Sequence, residues 1–126
     1  MKGIQFLLAN RSKIQRTVKN LPDGVETVTE SDDPEVTKVL VEHVNAMYKR
    51  VEENRPIHAR DPLFAELFRN ASTLVMKVEK TDKGVKVIET SKNPFSAKLI
   101  QAHAKVVSLF LKNGHSEVRK NHSIPE

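Results

Sequence analysis

The chain has 126 residues and a formal net charge of +5, with 38% hydrophobic and 29% charged residues. This length predicts one domain with its own core, and the absence of cysteine excludes disulfides, thiolate metal sites and covalently attached c-type haem. Basic residues are mixed with acidic ones after the N-terminal segment, aromatic residues are few and no apolar run is long. We therefore expect a soluble protein without a nucleic-acid interface or membrane contact.

Helices and strands are predicted in the same order twice along the chain. Amphipathic helices are expected over residues 4–12 and 63–71, each followed by a strand with apolar residues at alternate positions. The turns LPDG and TDKG end in glycine and lead into second strands, a pattern typical of β-hairpins. A long helix follows each hairpin, and the final HSEVRKNHSIPE predicts a short helix and then a frayed end.

Three aspartate or asparagine residues mark helix starts. Asp33, Asp61 and Asn93 are each followed by proline, which places a capping side chain before a proline at the first helical position. The long helices are predicted to end near Asn54 and Gly114, residue types that tolerate the left-handed conformation found beyond helix ends.

The sequence matches itself when it is shifted by sixty residues. The shift needs no gap and gives ten identities over 37 positions. The identical pairs are Leu7/Leu67, Asn10/Asn70, Ser12/Ser72, Val18/Val78, Gly24/Gly84, Val25/Val85, Ser31/Ser91, Pro34/Pro94, Lys38/Lys98 and His43/His103. Two units are too few for a solenoid, so we interpret them as pseudo-twofold halves, about 3–60 and 63–122, of one domain. Met1 then stands opposite Asp61, at the boundary between the repeats.

This pattern predicts an α+β fold. Two hairpins would form a four-stranded antiparallel sheet, with the two long helices packed on it and the short helices covering an edge or end. The order of the strands does not follow from the sequence. An exposed sheet edge leaves a homodimer open as an oligomeric state.

Both long helices carry a histidine within an apolar stripe. The stripes comprise Val36, Val39, Leu40, His43, Met47 and Val51 in the first helix, and Leu99, Ile100, His103, Val106, Val107 and Phe110 in the second. A histidine at such a position is most often a core residue with a satisfied hydrogen bond. If the helices lie side by side across a pseudo-twofold axis, however, His43 and His103 would face a shared space.

Two facing imidazoles would bind a metal ion or a haem-like cofactor. Met47 lies one turn after His43 and would add a thioether, which favours copper or haem, although methionine at this spacing is more often packing. A pure zinc site is less favoured, because the sequence has neither HExxH nor a cysteine cluster.

Arg16 is a charged residue at an inward position of the first strand. It alternates with Ile14 and Val18 and corresponds to Met76 in the second half. One interpretation pairs it with an internal acid such as Glu30 or exposes its charge at the sheet edge. The other makes Arg16 a cofactor-binding residue that anchors an acidic ligand, such as a haem propionate.

Other candidate sites have weaker support. His115 and His122 are seven residues apart and could share a helical face, and His58 lies between the halves, but surface histidines near a chain end are usually incidental. The sequence has no nucleophile elbow or phosphate loop, so catalysis would need a pocket that joins Arg16 to one of the helix histidines.

Three stretches resemble a family of small, largely uncharacterised bacterial proteins. They are LPDGVETVTESDDPEV, RPIHARDPLFAELFRNA and ETSKNPFSAKLIQAHAKVVSLF, and the resemblance extends from about Leu8 to His122. The family shares the pattern GV-x-V-x-E(T/S)-x-x-P before a helix with histidine, and its matching residues are His43, Met47 and His103. It is commonly made with an export leader, which implies a periplasmic location, although this chain begins without one.

The sequence thus leads to two functional hypotheses. The first is a non-enzymatic binding protein that holds a metal ion or haem-like cofactor between its repeats through His43 and His103. The alternative is a structural or protein-interaction domain with core histidines and no cofactor.

Overall fold

The helices and strands follow the order that the sequence predicts. A computed structural model describes residues 2–53 and 61–125. Its elements are α1 (Lys2–Ala9), β1 (Ile14–Leu21), β2 (Gly24–Ser31), α2 (Pro34–Glu52), α3 (Pro62–Arg69), β3 (Leu74–Lys80), β4 (Gly84–Ser91), α4 (Pro94–Asn113) and α5 (His115–Val118). The fold is α+β, as predicted.

The four strands form one antiparallel sheet in the order β1-β2-β4-β3. The hairpins therefore join through their second strands, and β1 and β3 are the edges. Backbone hydrogen bonds extend the central ladder at both ends: Ser31 N donates to Lys83 O and Ser91 N donates to Asp23 O, both at 2.9 Å.

Two glycines allow β2 and β4 to approach each other. A Cβ atom on Gly24 would lie 1.9 Å from Glu89 O, and one on Gly84 would lie 2.0 Å from Thr29 O. Neither residue has a positive φ. The turn pattern correctly predicts the hairpins, but these glycines are needed for close strand contact rather than for turn geometry.

Side-chain caps start three of the helices. Asp33 and Asn93 each accept hydrogen bonds from two backbone N–H groups at the starts of α2 and α4, and Asp61 accepts one from Leu63 N at 3.0 Å. Each cap precedes a proline, so the predicted starts are confirmed. α4 ends before Gly114, whose φ is 72°. α2 ends at Glu52, and Asn54 lies outside the described residues.

The short helices end earlier than predicted. α1 ends at Ala9 and α3 at Arg69, and a turn of 3-10 helix, at 11–13 and 71–73, follows each before the next strand. In both places the carbonyl of an asparagine accepts the hydrogen bond that closes the turn, from Lys13 N and from Thr73 N. The helix is replaced by a tighter turn that leads the chain into the sheet.

One face of the sheet packs against helices. Helix α4 lies over β1, β2 and β4, whereas α2 lies over β2, β4 and β3. The largest apolar cluster joins residues from α1, β2, α3 and α4, and a second joins α1 to the start of α2. Side chains on the opposite face are half-buried or exposed, including Val28, Ile88 and Val75. The helix-covered face therefore carries the core and the groups described next.

Candidate functional site

Arg16 is a half-buried cation between the sheet and α4. Strand alternation places it opposite Thr29 on the helix-covered face. Its Nε donates to Ser108 Oγ at 3.0 Å, Nη1 to Thr29 Oγ1 at 3.0 Å, and Nη2 to the Ala104 carbonyl at 3.2 Å. Burial lowers the pKa of Arg16 to about 10. All three partners are neutral, so the charge has no carboxylate partner within the described residues.

The predicted pairing of Arg16 with Glu30 is not present. Glu30 accepts a hydrogen bond from Thr81 Oγ1 at 2.7 Å instead. Consecutive side chains of a strand point to opposite faces, and Glu30 neighbours Thr29, the partner of Arg16. Glu30 is therefore directed away from the guanidinium.

A groove of about 460 Å³ lies between edge strand β1 and α4. Val18 on β1 is 40% exposed here although it lies on the helix-covered side of the sheet. Ala102 on α4 is small and leaves this space open. The lining residues are Val18, Asn20, Lys98, Gln101, Ala102, Lys105, Ser108 and Pro125. Among the described residues, the groove lining combines apolar surface with two lysines and includes no acidic side chain.

Hydrogen bonds fix the helix that forms one wall of the groove. Gln101 Nε2 donates to Leu21 O at 2.8 Å and to Gly24 O at 3.2 Å, which ties α4 to the β1–β2 turn. Ser108 lines the groove and also accepts from Arg16 Nε. The half-buried guanidinium is therefore one hydrogen bond away from the groove.

His103 is half-buried beside Phe64 of α3. The two rings meet edge to face, with their centroids 4.9 Å apart and an angle of 73° between their planes. Burial, and to a smaller extent the charge of Arg16, lower the pKa of His103 to about 4, with Asp61 acting in the opposite direction. His103 is therefore neutral at physiological pH, and it makes no hydrogen bond within the described residues.

His43 lies beside α1 rather than α3. A Cβ atom at Gly3 would lie 4.0 Å from its Nδ1. Burial lowers the pKa of His43 as well. Met47 follows one turn later on α2 and is half-buried. No hydrogen bond or ring contact links His43 to His103 in the described part of the chain.

No group of metal-ligating side chains in the described residues is suited to a metal ion. Over 2–53 and 61–125, no group of three or more histidine, cysteine, aspartate or glutamate side chains is arranged to hold a metal ion. His58 lies outside these ranges. The charge of Arg16 acts on the pKa of His103, whereas His43 has a separate neighbour in α1.

His122 forms a polar cluster that the sequence did not predict. Its Nδ1 contacts Asp61 Oδ2, its Nε2 lies 2.7 Å from Glu117 Oε2, and its backbone N–H donates to Asp61 Oδ1 at 3.0 Å. The helical face that His115 and His122 could have shared is absent, because α5 ends at Val118. The expected frayed end is also wrong at His122, whose side chain is 11% exposed. The helix start at Asp61-Pro62 was predicted from the sequence, but no sequence pattern predicted the contact between Asp61 and His122 of the tail.

Glu89 is a buried ionisable group that was not predicted from the sequence. It is 7% exposed and lies opposite Val25 and Met76 on the helix-covered face. Burial raises the pKa of Glu89 to about 7. Its side chain makes no hydrogen bond or ion pair within the described residues. In the sequence, the alternation of Val85, Val87 and Glu89 indicated that Glu89 shares a face of the strand with the two valines.

Comparisons of the chain with protein-family models, curated proteins and solved structures find no significant match. Within the described ranges, none of the helices combines the length and apolar character needed to cross a bilayer.

Proposed function

We propose that this is a non-enzymatic binding protein that holds a small amphipathic organic anion in the groove between β1 and α4. The observation that carries the proposal is Arg16, a half-buried cation with only neutral partners among the described residues, linked through Ser108 to a groove lined by two lysines. A charge partly removed from water is normally paired, because its desolvation is costly. An anion beside Ser108 would provide the missing opposite charge.

The groove lining defines the class of ligand. Its volume of about 460 Å³ falls within the range of small-molecule sites, about 300–1,000 Å³. Val18, Ala102 and Pro125 offer an apolar surface, whereas Lys98 and Lys105 favour negative charge. A carboxylate with an aliphatic body satisfies both requirements.

Calorimetric titration with decanoate tests this function. We expect decanoate to bind, and decanol and decyltrimethylammonium, which lack the negative charge, to bind much more weakly. Decyl sulfate distinguishes a general anion site from one selective for carboxylate. Equal binding of all four compounds, or no binding of decanoate, would overturn the proposal.

Variants locate the binding site. Arg16→Met introduces the residue found at position 76 and should weaken decanoate binding at least about tenfold. Ala102→Trp should fill the groove and abolish binding. Lys105→Gln removes one positive charge from the groove lining. Lys77→Gln removes one positive charge from an exposed position on β3 and is its control. If Lys77→Gln and Lys105→Gln reduce affinity equally, the groove is not the site.

A second candidate function is the metal or haem-like cofactor suggested by the paired histidines. The observation that favours it is that His43 and His103 are both desolvated and that neither ring is hydrogen-bonded within the described residues. Buried imidazoles normally have a partner. Neutral rings have a free lone pair for copper or haem iron, and Met47 would be an additional ligand of the first half.

Titration of the purified protein with Cu²⁺ and with haemin tests the second function. Ultraviolet-visible spectra should show a saturable complex that is lost in both His43→Ala and His103→Ala, with His115→Ala as control. If neither reagent binds and decanoate also fails, the structural or interaction-domain hypothesis replaces both proposals.

The two halves of the chain are proposed to derive from a tandem duplication with a pseudo-twofold axis between β2 and β4. The identical pairs sixty residues apart support this. So do the matching bonds from Ser31 N to Lys83 O and from Ser91 N to Asp23 O. The halves differ at Arg16/Met76 and Thr29/Glu89, so a ligand at Arg16 would occupy one half only.

A periplasmic location and a homodimer complete the proposal. The location follows from the resemblance to commonly exported proteins, and cell fractionation of the full gene product tests it. The edge strands β1 and β3 support a homodimer through strand pairing. Sedimentation equilibrium would give the mass of a monomer if this part of the proposal is wrong.

A further inference from the structure

The chain after α5 leads to the groove. Residues 121–125 form neither helix nor strand, and Pro125 is part of the groove lining. The C-terminal strap, defined as residues 119–125, therefore forms one wall of the groove. Unlike the walls contributed by β1 and α4, it has no secondary structure of its own to hold it in place.

His122 is the point at which this strap is held. Its ring lies between the carboxylates of Asp61 and Glu117, and its backbone N–H also donates to Asp61. The two carboxylate side chains are 0% and 5% exposed. Asp61 simultaneously caps α3, so the strap is attached to the start of that helix. We call these three residues the latch.

We propose that the C-terminal strap closes one side of the anion groove and that the latch formed by Asp61, His122 and Glu117 holds it closed. This inference rests on the proposed function. Release of the latch would remove Pro125 from the groove, so a bound organic anion would dissociate faster. The remaining groove would keep Lys98, Lys105 and the link to Arg16, so binding would weaken rather than disappear.

The charges around His122 make the latch sensitive to pH. Asp61 at the start of α3 and Glu117 on α5 face its two nitrogens, Lys120 approaches Glu117 at 3.5 Å, and Phe110 of α4 packs near the ring. Burial disfavours the protonated ring, but the two carboxylates outweigh burial and raise the pKa of His122 above 6.5. The hydrogen bond from His122 is the main cause that lowers the pKa of Glu117.

The sign of the pH effect follows from these shifts. A histidine with a raised pKa in the folded state stabilises the closed strap fully below 6.5, and this contribution is lost as pH rises through the raised value. Glu117 has a lowered pKa, so its contribution is lost only in acid, below its ordinary 4.5. The strap is thus held most firmly below 6.5 and loosens as pH rises through the raised pKa of His122.

A spin label on the strap tests the latch without any ligand. The chain has no cysteine, so Ser123→Cys, at an exposed position of the strap, gives a single attachment site. We expect slow label motion below 6.5 and fast motion above the raised pKa of His122. His122→Ala should give fast motion throughout, and His115→Ala, an exposed histidine of α5, should behave like the parent. Slow motion in His122→Ala, or no change with pH in the parent, would overturn the latch.

Decanoate dissociation tests the role of the strap in binding. Stopped-flow release should be several-fold faster in His122→Ala than in the parent, and the pH dependence of release below the lysine pKa of about 10.4 should vanish. A mobile label with unchanged release would show a latch that does not close the groove. No decanoate binding by the parent, with the label responding as expected, would refute the proposed function and leave only the latch.

Discussion

Arg16 donates a hydrogen bond from Nε to the hydroxyl of Ser108, 92 residues further along the chain. The bond joins edge strand β1 to α4 below the groove, and Ser108 itself forms part of the groove lining. Because Ser108 Oγ also contacts the Ala104 carbonyl at 3.2 Å, its rotamer is tied to the helix. The position of the half-buried guanidinium and the shape of the groove therefore depend on one another.

Removal of the Ser108 hydroxyl should weaken both stability and anion binding. Ser108→Ala takes away a hydrogen-bond partner of the half-buried Arg16 cation, so we expect the free energy of unfolding to fall by about 1.5–3 kcal/mol. Decanoate affinity should fall as well, because Arg16 loses its link to the groove. Urea denaturation and calorimetry measure the two effects. Ser72→Ala, at an exposed position before β3, is the control and should change neither.

Glu89 should make the protein less stable as pH rises. Its carboxyl has a pKa of about 7 in the folded state against an ordinary 4.5, so the folded state binds more protons between these values. The free energy of unfolding should fall by roughly 3 kcal/mol across this interval through Glu89. Glu89→Gln stays neutral and should restore about 2–3 kcal/mol at alkaline pH.

Denaturant unfolding as a function of pH checks the Glu89 prediction. The curve of Glu89→Gln should be flatter than that of the parent between 4.5 and about 7. Glu79→Gln changes an exposed carboxylate on β3 and should follow the parent curve. A Glu89→Gln variant no more stable than the parent at alkaline pH would contradict the prediction.

His103, in contrast to Glu89, should make the protein less stable as pH falls. Its pKa is about 4 in the folded state and 6.5 ordinarily, so the unfolded chain binds the extra proton between these values. Stability through His103 is therefore lost on acidification across this interval. His103→Phe keeps an aromatic ring beside Phe64 and should remove this loss. NMR titration should show the His103 ring unchanged from neutral pH to about 5, and a titrating ring would contradict the assignment.

A methyl group at either central glycine should separate the hairpins. Gly24→Ala and Gly84→Ala place Cβ about 2 Å from a backbone carbonyl oxygen of the neighbouring strand, which cannot move without breaking the ladder. We expect each variant to lose at least about 3 kcal/mol of stability or to fail to fold. Gly3→Ala meets its nearest atom, His43 Nδ1, at 4.0 Å. It should be neutral or gain up to about 1 kcal/mol, as judged by thermal denaturation.

The hairpins, helix starts and fold class followed from the sequence because their signals are local. A proline after Asp33, Asp61 or Asn93 acts within one helical turn, and a glycine-ended turn between alternating strands joins neighbours in the chain. The inward position of Arg16 also followed from strand alternation. Strand alternation did not reveal the neutral partners of Arg16, because Ser108 and Ala104 approach its guanidinium only when α4 packs over β1.

The contacts between elements distant in the chain were decided by tertiary packing and did not follow from the sequence. The joining of β2 to β4 assigns Gly24 and Gly84 a role in strand contact, although both resemble turn residues in the sequence. The path of the tail places His122 against Asp61, 61 residues earlier, and turns an incidental tail residue into a buried latch. The sequence by itself determined the local frame, since caps and turns act over a few residues. Only the tertiary structure decided which charges are buried and which meet, because desolvation and ion pairing depend on neighbours distant in the chain.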